Sequence, residues 1–341
     1  MSNELLEKVI STTEVGAGGG GILNPEQANR FIDYMWDATV LAKEGRIVRM
    51  KSDTVDIDKV NVGQRIARLA TEGVDDGVNA NATFTKISLT TKKIRLDWEL
   101  TTESLEDNLE GAGLEDHIAR MMATALGNDL EDLAINGSTA SSDPLLKAFD
   151  GFGRIVTGAG SSAAIIDAGG ATLSGVGAND GKAVFNKAIK NMPRKYLQRR
   201  NQLQFYAGSN LTQDYLYGLT NVWVANGATP DIASSVVRGD VVARSGDAGT
   251  VTPYAFGIPV REVPLFSETE SGTYSGASGN HSSVELTFPQ NRIWGIKREI
   301  TVHREFKPKK DAIEYTVFVR TGVQIENTEA FVRVNNVKVS S

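Results

Sequence analysis

The sequence predicts an α+β fold in which an arm and a long two-stranded excursion precede a body built on one long helix and long strands. Three observations carry this. Apolar residues keep helical spacing over 114–135, about six turns. Apolar residues alternate without a break from Ile313 to Ile325. Two β-like stretches, 47–62 and 84–100, flank Glu72-Gly-Val-Asp-Asp-Gly77, a turn composition.

The chain has 341 residues, enough for a sizeable core and roughly two domains. With 40% apolar and 23% charged residues, wholesale disorder is excluded. Lys and Arg number 36 against 42 Asp and Glu, a net charge of −6, which disfavours strong general binding to nucleic acid. The absence of cysteine removes disulfides, thiolate metal sites and a cysteine nucleophile. No run of 18 apolar residues occurs, so no membrane span is expected, and MSNELLEKVIST lacks an apolar signal core. The expectation is a protein made and used without secretion.

Residues 1–30 read as an arm, because the run Val15-Gly-Ala-Gly-Gly-Gly-Gly-Ile22 disfavours regular structure. Residues 31–45 read as a first helix, with Phe31, Ile32, Met35 and Trp36 at helical spacing. In 46–98 each β-like stretch changes its apolar face once, near 58 and near 92, about equally far from residue 75. That fits an antiparallel hairpin with its tip near Asp75–Gly77, too long to be stable alone in water. It also fits two separate strands of a compact sheet with 63–83 as an ordinary loop, and the pattern leaves both readings open.

Residues 102–109 suggest a short capped helix. The long helix 114–135 has Leu114, Ile118, Met121, Met122, Ala125, Leu126, Leu130 and Leu133 at core spacing and stops at Asn136-Gly137. Segment 138–180, rich in Gly, Ser and Ala, reads as loose and flexible, with a short strand at Arg154–Thr157. Helix follows at Lys182–Asn191, restarting after Pro193, then a buried strand at Leu203–Ala207 and a helix at Asn210–Leu219. Pro253–Pro264 is strand-like, and 267–283 reads as an exposed loop. At the C-terminal end Ile300, Val302, Arg304 and Phe306 share a face, Lys307–Ala312 turns, the long strand follows, and a last strand covers 329–339.

Chemistry-bearing patterns are sparse. His117, His281 and His303 lie far apart, with no metal-ligand spacing. The stretch Gly175–Lys182 has five residues between its glycines where a phosphate loop has four, and Ala183 stands where a magnesium-binding hydroxyl belongs. Adjacent acids such as Glu131 and Asp132 point apart on a helix and make poor acid–base partners. No catalytic, cofactor or metal residues are assigned, and the expected role is not enzymatic. One basic run, Lys182 to Arg200, holds seven cations and no acid. It reads as a solvated face that meets a neighbouring subunit, with phosphate binding as the other option.

The ordered set of elements resembles the major capsid protein of tailed bacteriophages, the Hong Kong 97-like coat fold. The stretches that carry the likeness are FTKISLTTKKIRLDWELTTESLEDN at 84–108, LEDHIARMMATALGNDLEDLAINGS at 114–138, LLKAFDGF at 145–152, AVFNKAIKNMPRKYLQRRNQLQFYAGSNLTQDYLYGL at 183–219, FGIPVREVP at 256–264 and QNRIWGIKREITVHREF at 290–306. The resemblance covers most of the chain and rests on their order. It implies an extended loop at 46–98 lying over a neighbour, a peripheral domain at 99–180 with a spine helix at 114–135, an axial domain at 181–285, and C-terminal strands at 286–341 completing the peripheral domain.

The function so implied is self-assembly into pentamers and hexamers of an icosahedral head around double-stranded DNA, in the host bacterial cytoplasm, ending in the virion. An encapsulin-like nanocompartment shell is the alternative in the same class, and a phosphate-handling enzyme the alternative in another. Implied contacts between copies are the loop tip, Glu72, Asp75, Asp76 and Gly77, and the basic axial helix, Lys187, Lys190, Arg194, Arg199 and Arg200. The spine-helix core is Leu114, Ile118, Met122, Leu126 and Leu133. Implied partners are further copies, a separate scaffolding protein, a portal protein, optionally a decoration protein, and packaged DNA held weakly; no membrane and no cofactor are implied. Some members cross-link a loop lysine to an asparagine, but 69–83 contains no lysine.

Overall fold

A computed structural model describes residues 20–22, 39–61, 83–103, 113–173, 181–225, 253–268, 280–297 and 301–339. In chain order the first elements are β1 (Gly20–Ile22), α1 (Leu41–Glu44), β2 (Arg46–Met50), β3 (Thr54–Asn61), β4 (Thr83–Thr90) and β5 (Lys92–Thr101). The spine helix α2 (Gly113–Asn136), α3 (Phe152–Thr157) and β6 (Ala164–Asp167) follow. Then come α4 (Gly181–Asn191), α5 (Arg194–Leu197), β7 (Gln204–Ala207), α6 (Ser209–Ala225), β8 (Tyr254–Ala255) and β9 (Ile258–Glu262). The chain closes with β10 (His281–Thr287), β11 (Arg292–Lys297), β12 (Thr301–Lys307), β13 (Ala312–Ile325) and β14 (Phe331–Lys338).

The first sheet is organised by β13. Its 14 residues, about 45 Å of strand, are long enough to hold three partners. β5 pairs along one edge, from Ala312↔Thr101 to Thr321↔Lys92. On the other edge β12 covers Ala312 to Phe318 and β11 covers Thr321 to Ile325. β2 adds parallel to β11, and β1 adds to the outer edge of β12. The predicted alternation of β13 is seen directly: Tyr315, Val317, Val319, Val323 and Ile325 are buried. Val317, Val319, Val323 and Ile325 form one core with Leu126, Leu130 and Leu133 of the spine helix and with Phe149, Phe152 and Val156. The helix ends at Asn136 as expected, and the Gly137 amide donates to the Leu133 carbonyl at 2.9 Å.

The second sheet runs β6-β14-β10-β7-β9-β8. β10 lies between β14 and β7, and all seven of its residues are buried. α4 covers this sheet with Val184, Phe185 and Ala188, spaced to one face of a helix. The Phe185 ring meets Phe205 and Tyr215 edge-on, with centroids 4.7 and 4.8 Å apart.

Several expectations are corrected. The glycine run does not escape regular structure entirely, since Gly20–Ile22 forms β1; an edge strand offers backbone hydrogen bonds that need no side chain. Arg154–Thr157 is helical within α3, because Phe152 and Val156, four apart, reach one core; the strand of that region is Ala164–Asp167. Much of 138–173 is not loose: Phe149, Phe152, Val156, Ala168, Ala171 and Leu173 are buried, and small residues there serve close packing. The exposed loop expected to 283 ends earlier, with His281, Ser282 and Ser283 buried at the start of β10. The last strand, β14, joins the second sheet rather than the long strands, because Val332, Val334 and Val337 complete the α4 core. The stretches 1–19, 23–38, 62–82, 104–112, 174–180, 226–252, 269–279, 298–300 and 340–341 lie outside the described residues, and with them most of the expected first helix and the 102–109 helix.

Candidate assembly surfaces

The excursion resolves into three parts. β2 and β5 belong to the first sheet, while β3 and β4 form a separate two-stranded ribbon from Thr54↔Thr90 to Asn61↔Thr83. The face change near 92 marks where the chain leaves the ribbon at Thr91 and enters the sheet. The expected tip residues Glu72, Asp75, Asp76 and Gly77 lie outside the described residues.

The described ribbon is held by its own chain. Leu89 is fully buried with Met50 and Ile293, and Val48, Val55 and Ile57 pack against that cluster. Gly322 lets the base come close: a Cβ there would sit 2.1 Å from the Thr90 carbonyl oxygen. Asp53 accepts from Lys297 at 2.9 Å and also from Arg320. These two donors hold the Asp53 carboxyl below its ordinary value, the Lys297 hydrogen bond having the larger effect. The Thr91 amide donates to the Asp53 carbonyl at 2.8 Å. Farther out, Lys59 Nζ donates to Asn327 Oδ1 at 2.7 Å.

The basic run divides into tied and untied cations. Lys195 pairs with Glu329, and Arg200 donates to the Phe256 carbonyl of its own chain. Lys187, Lys190, Arg194 and Arg199 make no ion pair among the described residues. In α4 the buried residues Val184, Phe185 and Ala188 fix which face is inward, and this leaves Lys190 exposed and Lys187 half-buried. On the spine helix Leu126 and Leu133 are buried and Ile118 and Met122 half-buried; the side chain of Leu114 lies outside the described residues. Met121, expected in the core, is 58% exposed, because it falls on the flank of the helix turned from the sheet.

Sequence reasoning missed a buried charge cluster where the two sheets meet. Arg292 of β11 and Glu285 of β10 pair at 2.5 Å with side chains 1% and 4% exposed. Arg333 of β14 approaches the other Glu285 oxygen at 3.4 Å. The Arg292 guanidinium lies 3.9 Å from the Tyr206 ring centroid. Tyr206 in turn donates to Glu44 at 3.1 Å, and burial pushes its phenol well up. Glu131 of the spine helix accepts from the Leu41 amide at 2.6 Å and the Val40 amide at 3.0 Å. Burial raises the Glu131 carboxyl above its ordinary value, against the pull of those amides and of Arg292. The available signal was an acid inside SSVELTF, a strand otherwise fit for burial on both faces.

The histidines do not converge: His117 and His303 are exposed on the spine helix and the long sheet, and His281 is buried in the second. Among the described residues no three His, Asp or Glu side chains group as metal ligands. Lys182 begins α4 half-buried, and 174–180 of the glycine stretch lie outside the described residues.

Two sheets joined by a spine helix, with a two-stranded ribbon docked on the first, is an arrangement shared with solved phage capsid structures. The fold matches over 99% of this chain and 97% of the other a structure titled as the satellite phage P4 procapsid with its size determination protein, at TM-score 0.61 and 15% identity. It matches the capsid of cyanophage P-SCSP1u over 88% of each chain at TM-score 0.58 and 10% identity. The capsid of an empty GTA particle matches over 88% and 90% at TM-score 0.56 and 14% identity. The fold is therefore the Hong Kong 97-like coat fold that the sequence resembles. No protein-family model matches the chain. In sequence it is 28% identical to YqbE of Bacillus subtilis (strain 168), a candidate prophage capsid protein by its own description, over 97% of this chain and 96% of that one.

Proposed function

We propose that this chain is the major capsid protein of a tailed phage or prophage, self-assembling into pentamers and hexamers of an icosahedral head around double-stranded DNA. The observation that carries the reading is likeness along the whole chain: it spans nearly all of a prophage capsid relative and shares the coat fold. The relative's description also favours a phage head over a nanocompartment. The role is structural rather than catalytic.

On this reading 99–180 and the long strands make the peripheral domain and 181–285 the axial domain. The loop tip with Glu72, Asp75, Asp76 and Gly77 lies over a neighbour. The cations of α4 and α5, Lys187, Lys190 and Arg194, and Arg199 just beyond α5 face an adjoining copy. Shells of this kind are held by many modest interfaces closed by symmetry. Assembly takes place in the host cytoplasm with a separate scaffolding protein and a portal protein, and a decoration protein is an optional addition. The net charge of −6 suits a container whose DNA must stay loosely held.

The test is assembly itself. Purified chain co-expressed with the scaffolding protein encoded beside it is expected to give closed shells by mass photometry and negative-stain imaging. A persistent monomer under those conditions overturns the reading.

A further inference from the structure

The hairpin of β8 and β9 closes through two residues, Phe256 and Gly257, because Ala255 pairs with Ile258. Both turn residues have positive φ, 52° and 77°, the combination found in the tight turns that match strand twist. Asn-Gly is the pair that such a turn favours. A bulky aromatic in that backbone region is a genuine outlier. The other non-glycine residues with positive φ among the described residues are Asp311 and Asn336, both types that tolerate it.

Packing within the chain covers Phe256 only in part. Its flanking residues Ala255 and Ile258 are fully buried, yet Phe256 itself is 38% exposed. Its carbonyl accepts from Arg200, which ties the turn to the basic segment ending in Arg199 and Arg200. A strained turn that leaves an aromatic residue part-exposed and is tied through its carbonyl to an arginine combines residue types enriched at interface hot spots.

We propose that Phe256 is an anchor for contact between copies of this chain, its ring seated against a second copy beside Arg199 and Arg200. The inference rests on the shell-forming reading above and adds a contact that neither the loop tip nor α4 supplies. A second copy is the occupant the observations favour. The strain is unrelieved in the single chain, and the turn is tied to Arg200, whose chain neighbour Arg199 makes no ion pair among the described residues and is proposed above to face an adjoining copy.

The test uses Phe256→Asn, which places the favoured pair in the turn. The unassembled subunit is expected to melt about 1–3 °C higher, since strain is removed. Its critical concentration for shell formation with scaffold, read by light scattering, is expected to rise about tenfold. Phe256→Tyr keeps the ring and is expected to assemble like the wild type. Shell formation by Phe256→Asn at the wild-type concentration overturns the inference and leaves the shell reading standing. A lower melting temperature for the unassembled Phe256→Asn subunit also overturns it, because the ring would then be packing on its own chain. Failure of the wild type to assemble sinks both.

Discussion

Replacing Glu285 by Gln tests whether the buried cluster locks the two sheets together. The carboxylate is 4% exposed and stands between the Arg292 and Arg333 guanidiniums, at 2.5 and 3.4 Å. Glutamine keeps the shape and one acceptor oxygen but removes the charge. Arg292, 1% exposed, is then a cation facing aromatic rings with Glu131 as its remaining acidic neighbour. Breaking a buried pair by removing one partner costs about 3–5 kcal/mol. For 341 residues the unfolding entropy is about 0.7 kcal/mol/K near the midpoint, so a drop of about 4–7 °C is expected. Differential scanning calorimetry of the unassembled subunit reads it. The companion Glu285→Leu with Arg292→Met removes both charges. It is expected to recover at least half of the loss, because an apolar replacement avoids the desolvation cost and Arg333, at 11% side-chain exposure, can turn outward. A Glu285→Gln subunit melting within about 1 °C of wild type would refute the reasoning, as would a double variant less stable than the single.

Other outcomes follow from the same geometry. Gly322→Ala sets a Cβ 2.1 Å from a backbone oxygen that no rotamer change can move; it is expected to cost about 1–3 kcal/mol in urea unfolding and to raise exchange of the β4 amides. Asp53 is held below its ordinary value, so its contribution is present above about pH 4 and lost as pH falls through the lower folded value. Asp53→Asn should therefore flatten the acid limb of ribbon protection seen by hydrogen exchange. Glu131 has the opposite sign. Its folded form holds the proton more tightly, so its contribution favours folding at low pH and declines as pH rises from the ordinary carboxylate value through the raised one; Glu131→Gln should remove that decline in a pH series of melting curves. Lys190→Glu with Arg194→Glu, both exposed, should leave the subunit's melting temperature within about 1 °C and reduce the assembled fraction in light scattering.

Elements were legible in the sequence where one period governed a long stretch. The spine helix and β13 each bury one face against the other, so apolar spacing reports them directly. Legibility failed where burial came from both sides or from small residues. β10 carries polar Ser282, Ser283 and Glu285 in full burial because strands flank both its edges and α4 packs against its sheet. α3 is too short for its period to stand out, and its β-branched Ile155-Val156 read as strand. Pairing across the chain was the least legible. Mirrored face changes located a hairpin, but only the register showed that the change near 92 belongs to a different sheet. The Glu285–Arg292 pair joins residues seven apart whose strands lie in different sheets, and no local pattern encodes that.

The ribbon connects these points. An isolated two-stranded ribbon is marginal in water, and from its length alone a neighbouring copy is the expected support. The structure divides that support. The eight described residue pairs, about 25 Å, rest through Leu89 on the chain's own Met50 and Ile293 and are tethered through Asp53 and Lys59. Their direction is thus set before any partner arrives. A segment whose direction is already fixed loses less freedom on docking, so under the proposed shell function a modest interface suffices. Of the anchors of this stem, Ile293 and Lys297 lie on β11 and Arg320 on β13, strands that also contribute to the spine-helix core, and Arg292 begins the same β11. A disturbance of the buried cluster can therefore reach the ribbon through a single strand. Loss of Glu285 should loosen the assembly surface as well as the junction, which neither surface charge changes nor a local ribbon defect would reproduce.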